Sequence, residues 1–386
     1  MAPEALPAAD SGPVYLDCAA TTPIDPRVQQ EVVRYLETEF GNSGSRTHPY
    51  GARARRAVEH ARDQVAAVVA CGRGDVVFTS GATESNNLAL LGLARAGIES
   101  GRTHLVSTAI EHHAVLEPLR ALAARGFRLT LVDPESGGWV DPRAVADAVR
   151  DDTLLVSVMH ANNETGVLQP IDEIANLLEG KAPYFHVDAA QGFGKDVSPL
   201  RHPRIDLISA SGHKIHAPKG VGALITRKRG RERPPLEPLM YGGGQERGLR
   251  PGTLPVHLIA GFGCAAELAL AESKGRADRA RLYRERLLAG LAPLGPRING
   301  DAERALPHIL NLSIPGHDAE SVMEAWKDIV AISDGAACTS QSYTCSHVLA
   351  AMQLDPARRS GAVRLSWSDA TPLPDLVRMV RALSRV

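Results

Sequence analysis

A lysine held at the end of a buried strand can form a covalent bond to a carbonyl compound, and Lys214 stands in such a place. Residues 205–224, IDLISASGHKIHAPKGVGAL, begin as a strand-like run with Ile205, Leu207 and Ile208 apolar. They pass through Ser209, Ser211 and Gly212, then reach a turn marked by Pro218, Gly220 and Gly222. Open α/β sheets place their ligands at strand ends of this kind. Partial desolvation there lowers the pKa of an amine and readies it for a Schiff base with a carbonyl cofactor. A GHK tripeptide on its own would be an ordinary surface lysine, so the reading rests on its company. Asp188 ends the strand APYFHVDAAQ, with Gln191 three residues on. A carboxylate at that point suits a protonated pyridine nitrogen, which keeps a pyridoxal ring an electron sink; taken alone, it could equally cap a strand-to-loop junction. The turn SGATES, Ser80 to Ser85, precedes a helix expected to start near Asn86 and offers Gly81, Ala82 and Thr83 to a phosphate group. Cys338 lies among small residues, DGAACTSQS, after the apolar run IVAIS, a setting that suits an exposed nucleophilic thiol.

These residues need an α/β scaffold, and the chain has the rhythm of one. VVFTSGATESNNLALLGLA is a strand, a glycine turn and a helix, and THLVSTAIEHHAVLEPLRALAARG repeats the plan. FRLTLVDP, TLLVSVMHA, APYFHVDAA and IDLISAS are further strands, with helices at 141–150 and 170–179 between them. Alternation over two hundred residues predicts a mostly parallel sheet covered by helices on both faces. After Gly244 the loop GGGQERGLRPGT leads into a long helical region near 256–292 and a smaller set of strands and helices. We divide the chain into a disordered leader (1–13), an N-terminal segment joining the small domain (14–30), a large cofactor-binding domain (31–260) and a small C-terminal domain with the Cys338 loop (261–386).

At 386 residues, 43 basic against 44 acidic side chains leave a net charge of −1, so no global field attracts nucleic acid or an anionic membrane. No apolar run approaches the roughly 18 residues of a membrane span, and a cytoplasmic location is expected. Cys18, Cys71, Cys264, Cys338 and Cys345 are an odd number without a CxxC pair, against a disulfide framework or a zinc site. The pairs His213 and His216, or His112 and His113, lack a third metal ligand at helical spacing, so no metal is expected.

Taken together, FTSGATESNNLAL, IEHHAVL, MHANNETGVLQPI, HVDAAQ, SGHKIHAPKGVGAL, YGGGQERGLRPGTLPVH and SDGAACTS, in this order, closely resemble the cysteine desulfurases of the NifS/IscS type. These are fold-type I pyridoxal phosphate enzymes of the class V aminotransferase group, and the resemblance runs from about Val14 to about Ser368. It implies a homodimer that takes sulfur from L-cysteine, releases L-alanine and passes the sulfur from a persulfide on Cys338 to an acceptor protein. It also implies roles residue by residue. Lys214 would carry pyridoxal 5'-phosphate, with His112 stacked on the ring, Asp188 at its nitrogen and Gln191 at its phenolic oxygen. Ala82, Thr83, Ser211 and His213 would bind the phosphate, joined by Thr253 from the neighbouring subunit. Asn163, which also touches the cofactor, and Arg364 would hold the substrate carboxylate, with Asn42 beside them. His112 would either move a proton at the substrate thiol or serve only as an aromatic wall.

The chain departs from the family pattern in two places. Asp334 stands where a serine is usual, and a carboxylate near Cys338 would oppose thiolate formation. After Arg364 the usual Ser-Leu-Gly-Arg is Ser366, Trp367, Ser368 and Asp369. The chain looks similar to the specialised desulfurase that supplies sulfur for DNA phosphorothioate modification, so the sulfur is expected to serve iron-sulfur cluster assembly and/or that modification, with tRNA thiolation or other thiocofactor synthesis as the alternative destination. Alternatives for the chemistry are a selenocysteine lyase or an aminotransferase of the same group, and a non-catalytic subunit that kept the fold. Cys345, seven residues beyond Cys338, is either a second sulfur carrier or inert.

Overall fold

Apolar runs of five to seven residues that are buried along nearly their whole length build the central layer, as a sheet covered on both faces requires. The computed structural model describes residues 12–334 and 346–384. Its strands are β1 (Val14–Tyr15), β2 (Val76–Thr79), β3 (His104–Thr108), β4 (Arg128–Val132), β5 (Thr153–Met159), β6 (Tyr184–Asp188), β7 (Leu207–Ser211), β8 (Gly222–Thr226), β9 (Arg297–Ile298), β10 (Ile309–Ser313), β11 (Val330–Ala331) and β12 (Ala362–Ser366). Helices α1 (Pro26–Glu37), α2 (Pro49–Val68), α3 (Ala82–Leu91), α4 (Ala94–Ser100), α5 (His113–Ala123), α6 (Pro142–Asp147) and α7 (Ile171–Leu177) alternate with the early strands. They are followed by α8 (Val256–Leu291), α9 (Ala319–Trp326), α10 (His347–Ala351), α11 (Pro356–Ser360) and α12 (Leu376–Leu383).

The seven-stranded sheet has the order β2-β8-β7-β6-β5-β3-β4. All neighbours are parallel except β8, which runs against both β2 and β7. This is the mostly parallel, helix-covered sheet expected from the alternation. The β8 exception follows from the short turn after Lys214, too short for the helical crossover that a parallel neighbour needs. Gly222 is required where β8 begins: a Cβ there would sit 2.5 Å from the carbonyl oxygen of Ala210 and 2.6 Å from Cα of Gly81. That close approach presses the turn before α3 against the end of β7.

Two smaller sheets complete the chain. β9, β10 and β12 form an antiparallel sheet in the order β12-β10-β9, and β1 pairs in parallel with β11. The N-terminal segment thus lies on strands made by residues three hundred positions later, and Ala19 donates its N–H to the Ser366 hydroxyl at 2.8 Å. Helix α8, about 54 Å long at 1.5 Å per residue, joins the two parts. Its Ile259, Phe262 and Ala266 belong to the large core, and its Ala280, Leu287 and Leu291 to the core beneath the small sheets. The handover falls between Ala269 and Ala280, so a division after residue 260 lies within the first part of this helix. An 18-residue window of α8 is apolar enough to cross a membrane by composition, but half of it is buried inside the protein, as a core helix must be.

The glycine-rich stretch before α8 is fastened by one buried ion pair. Glu246 accepts from Arg62 Nη1 and Nη2 at 2.8 and 2.7 Å, and from the Phe78 N–H at 2.7 Å. Glu246 and Arg247 both adopt positive φ, 49° and 60°, a strained backbone that persists only where surrounding contacts impose it. Removing the carboxylate leaves the buried Arg62 guanidinium with only the Val76 carbonyl and the part-exposed Glu59, 3.3 Å from its Nε. Glu246→Ala is therefore expected to lower stability by about 3–5 kcal/mol. In urea denaturation the double change Arg62→Met with Glu246→Met should recover much of that loss.

Candidate active site

A cavity of about 390 Å³ opens where the C-terminal ends of β5, β6 and β7 meet the turn before α3 and the N-terminal segment. It falls in the volume range of small-molecule sites, about 300–1,000 Å³. Lys214 lies in a short turn directly after β7 and donates from Nζ to the backbone carbonyls of Ala19 at 2.5 Å and Ala20 at 2.8 Å. The same stretch is fastened from the other side, since Thr22 donates its N–H and its hydroxyl to the His213 carbonyl, each at 3.0 Å. Gln191 Nε2 donates to the Ala19 carbonyl at 2.9 Å, and its Oε1 is buried with no partner among the described residues.

Asp188 ends β6 with its side chain in the cavity. Its Oδ2 accepts from Asn86 Nδ2 at 2.7 Å and its Oδ1 from the Ala190 N–H at 2.9 Å. Asn86 is thus the positioning partner of the carboxylate, and its own Oδ1 is buried with no partner among the described residues. Opposite, Gly81 starts α3 with φ 155°, so the helix begins at Ala82 rather than near Asn86. Its first-turn amides and Thr83 line the cavity with Ser211 and His213. His213 is held by Thr21 Oγ1 at 3.2 Å, and burial together with the charge of Lys214 pushes its pKa down to about 4.

His112 is both a cavity wall and a helix cap. Its Nδ1 accepts the Ala114 N–H at 3.1 Å, which fixes the N-terminus of α5. An acceptor Nδ1 places the ring proton on Nε2, and burial lowers the pKa, so the imidazole is neutral and presents an N–H donor. Its neighbour Glu111 is fully buried, accepting from Thr108 Oγ1 and the Met159 N–H, both at 2.8 Å. Burial pushes the Glu111 carboxyl up to about 8.

Arg364, on β12, reaches the cavity from the small sheet. Its Nη2 pairs with Asp17 Oδ1 at 2.7 Å, its Nη1 donates to the Asn163 carbonyl at 2.9 Å, and its buried Nε has no partner among the described residues. Next to Asn163, Glu164 Oε2 accepts from the Ser346 hydroxyl at 2.5 Å. Burial pushes Glu164 up to about 7, opposed by the Ser346 hydrogen bond and the Arg364 charge and aided by Asp334. Ser333 is bridged to the backbone of Arg364. Ser333 and Ser346, on either side of residues 335–345, are thus each fastened to a residue that lines the cavity or adjoins one that does, Arg364 and Glu164.

Eleven site residues named from the sequence line this one cavity: Gly81, Ala82, Thr83, His112, Asn163, Asp188, Gln191, Ser211, His213, Lys214 and Arg364. Asn42 and Thr253 do not line it; both are exposed, and Asn42 closes its own turn by accepting the Gly44 N–H at 2.8 Å. Cys338 and Cys345 lie outside the described residues. Missed from the sequence were Asp17, Asn86 and the carbonyls of Ala19 and Ala20. For Asp17 and Asn86 the available signal was their place at a strand end and one turn into α3. A cavity with an amine, a carboxylate, a helix N-terminus and unpaired buried amide oxygens fits a pyridoxal phosphate: aldehyde, ring nitrogen, phosphate and ring substituents each find a partner of suitable charge.

Comparison with known proteins agrees with the geometry. Residues 14–375 match the family model "Aminotransferase class-V". The cysteine desulfurase IscS of Vibrio cholerae is 45% identical over 362 residues, 93% of this chain and 89% of that protein. Among solved structures, DndA from Streptomyces lividans is 52% identical with a TM-score of 0.81, covering 92% of this chain and 99% of its own. A structure described as SspA in complex with cysteine is 34% identical with a TM-score of 0.82, covering 93% of this chain and 100% of its own.

Two predictions follow from the His112 and Glu111 environments. Asparagine caps helices well, so His112→Asn should hold stability within about 0.5 kcal/mol of the parent while His112→Ala loses about 1 kcal/mol in chemical denaturation. Glu111 has a folded pKa above its unfolded value of 4.5, so the native state binds the extra proton and stability falls as pH rises from 4.5 through 8. Glu111→Gln cannot ionise, and its stability relative to the parent should climb from about pH 5 to about pH 8 and then level off.

Proposed function

The chain belongs to the aminotransferase class-V family and is a cysteine desulfurase of the NifS/IscS type, and we propose that it holds pyridoxal 5'-phosphate in the Lys214 cavity and moves sulfur from L-cysteine through Cys338 to an acceptor protein. The observation that carries this reading is the convergence of Lys214, Asp188 and Arg364 on one cavity from β7, β6 and β12.

When bound, pyridoxal phosphate supplies an electron sink that makes the Cα–H of an attached amino acid acidic. Asp188, held by Asn86 and Ala190, keeps a proton on the ring nitrogen. Thr83, Ser211 and His213 receive the phosphate at the start of α3. Lys214 is the base that takes the Cα proton, and its amine has hydrogen-bond acceptors in the Ala19 and Ala20 carbonyls. Arg364 and Asn163 take the substrate carboxylate, with the buried Arg364 Nε as its unused donor. His112, neutral and capped at Nδ1, orients the substrate through Nε2–H; accepting a proton there in its place would cost the α5 cap. The Cys338 thiolate then attacks the substrate sulfur. A bond forms between the two sulfurs as the Cβ–S bond breaks, and the electron pair left on carbon is protonated to give the methyl group of alanine.

A homodimer completes the site. Thr253 and Asn42 lie outside the cavity of their own protomer, and Phe40, Met240 and Tyr241 remain exposed in the neighbouring stretches, Tyr241 at 87%. Exposed apolar side chains next to residues that the family's site needs suit a surface that a second copy covers. The protein works in the cytoplasm in this reading, supported by Cys18, Cys71 and Cys264 being free thiols. For the acceptor we favour DNA phosphorothioate modification over iron-sulfur assembly or tRNA thiolation, on the sequence resemblance and the identity to DndA.

Purified protein given L-cysteine and a reductant should release sulfide and alanine in equal amounts, and Cys338→Ser should lose both. Alanine or a keto acid formed by Cys338→Ser would overturn the thiol mechanism in favour of a lyase or an aminotransferase.

A further inference from the structure

A second cavity, of about 70 Å³, backs onto the first. Cys18 and Thr22 face it while Ala19 and Ala20 line the first, so the segment 18–22 is their shared wall. At about 10–15 Å³ for one water, it has room for about five non-hydrogen atoms. No step of the reaction uses it.

Its polar end is built around Lys195. The ammonium lies 3.0 Å from His308 Nε2, and burial together with Lys195 itself holds the imidazole neutral, so the ring can only accept. Two donors of the ammonium then remain. Burial, reinforced by the charges of Lys214 and Arg276, pushes the Lys195 amine down to about 7, so that it is only partly charged at neutral pH. The Cys18 thiol, which burial pushes up to about 11, is neutral there and supplies no counter-charge. The nearby carboxylates are committed elsewhere: Asp369 to Arg279 at 2.6 Å, and Glu272 and Asp25 to Arg276 and Arg27. Among the described residues, no carboxylate comes within ion-pairing distance of Lys195. A buried amine without a counter-ion is driven towards its neutral form, and an anion beside it favours the charged one. The rest of the lining is mostly apolar, with Ala269, Ala277 and Leu306 among it, which a bare inorganic ion would leave unused.

We propose that this second cavity binds a small monocarboxylate, its carboxylate on the Lys195 ammonium and its short alkyl part against Ala269, Ala277 and Leu306. Bound there, the anion would offset one of the cations facing Lys214 across the shared wall, and so couple the cavity to the catalytic lysine.

Isothermal titration of propionate into the cofactor-loaded protein tests this, with sodium chloride as the parallel arm. Saturable propionate binding is expected, weakened about tenfold or more by Lys195→Met, which removes the charge, and by Ala277→Leu, which fills the apolar end. Thermal unfolding establishes that each variant is folded; should Lys195→Met not fold, Ala277→Leu carries the test alone. Propionate binding unchanged in these variants would place the ligand at Arg364 instead and overturn the proposal. So would chloride binding as tightly as propionate, or propionate binding indifferent to Ala277→Leu.

Discussion

Two backbone carbonyls, those of Ala19 and Ala20, hold the amine on which the site depends. They receive Lys214 Nζ, and Ala19 receives the Gln191 amide as well. Neither residue belongs to the central sheet. Their stretch is pinned by Ser366 of the small antiparallel sheet at one end and by the His213 carbonyl at the other. The lysine therefore has these two acceptors only when the N-terminal segment, the small sheet and the turn after β7 are all in place. A cavity wall made of carbonyl dipoles also suits a cation without adding a fixed negative charge that would compete for it.

Low dielectric governs the remaining ionisable groups around the cavity. Burial keeps His112, His213 and His308 neutral and favours the protonated forms of Glu111 and Glu164. The charges that persist have specific partners: Arg364 has Asp17, and Asp188 has two N–H donors. The site is thus sparse in charge and rich in directed dipoles, the condition under which one amine and one guanidinium determine how a zwitterionic amino acid is oriented.

Much of this was legible in the sequence, and the reasons differ by residue. Lys214, Asp188 and Thr83 stand at strand ends or a helix start, where type and position together carry chemical meaning. The parallel sheet followed from the alternation of strands and helices. The carbonyls of Ala19 and Ala20 left no trace, because a backbone acceptor is independent of residue type. Asp17 and Asn86 stood at positions that carry a signal, but their roles lie in partners 347 and 102 residues away, which position alone does not name. The start of α3 was placed four residues late because a helix can begin directly on Gly81, whose positive φ a residue with a side chain rarely adopts. Thr253 and Asn42 stand apart from the cavity because one chain does not bring them to it.

The long reach of the N-terminal segment bears on how the protein is made. β1 pairs with β11, and Ala19 bonds to Ser366, 347 residues further along the chain. During synthesis from the N-terminus, the large sheet can assemble while the strands that anchor residues 14–19 have not yet been made. Closing so long a loop costs entropy that only the finished small sheets repay. The wall that holds Lys214 is consequently among the last parts to form, and a ribosome-bound chain that stops short of β12 has the sheet and the lysine but not the finished pocket.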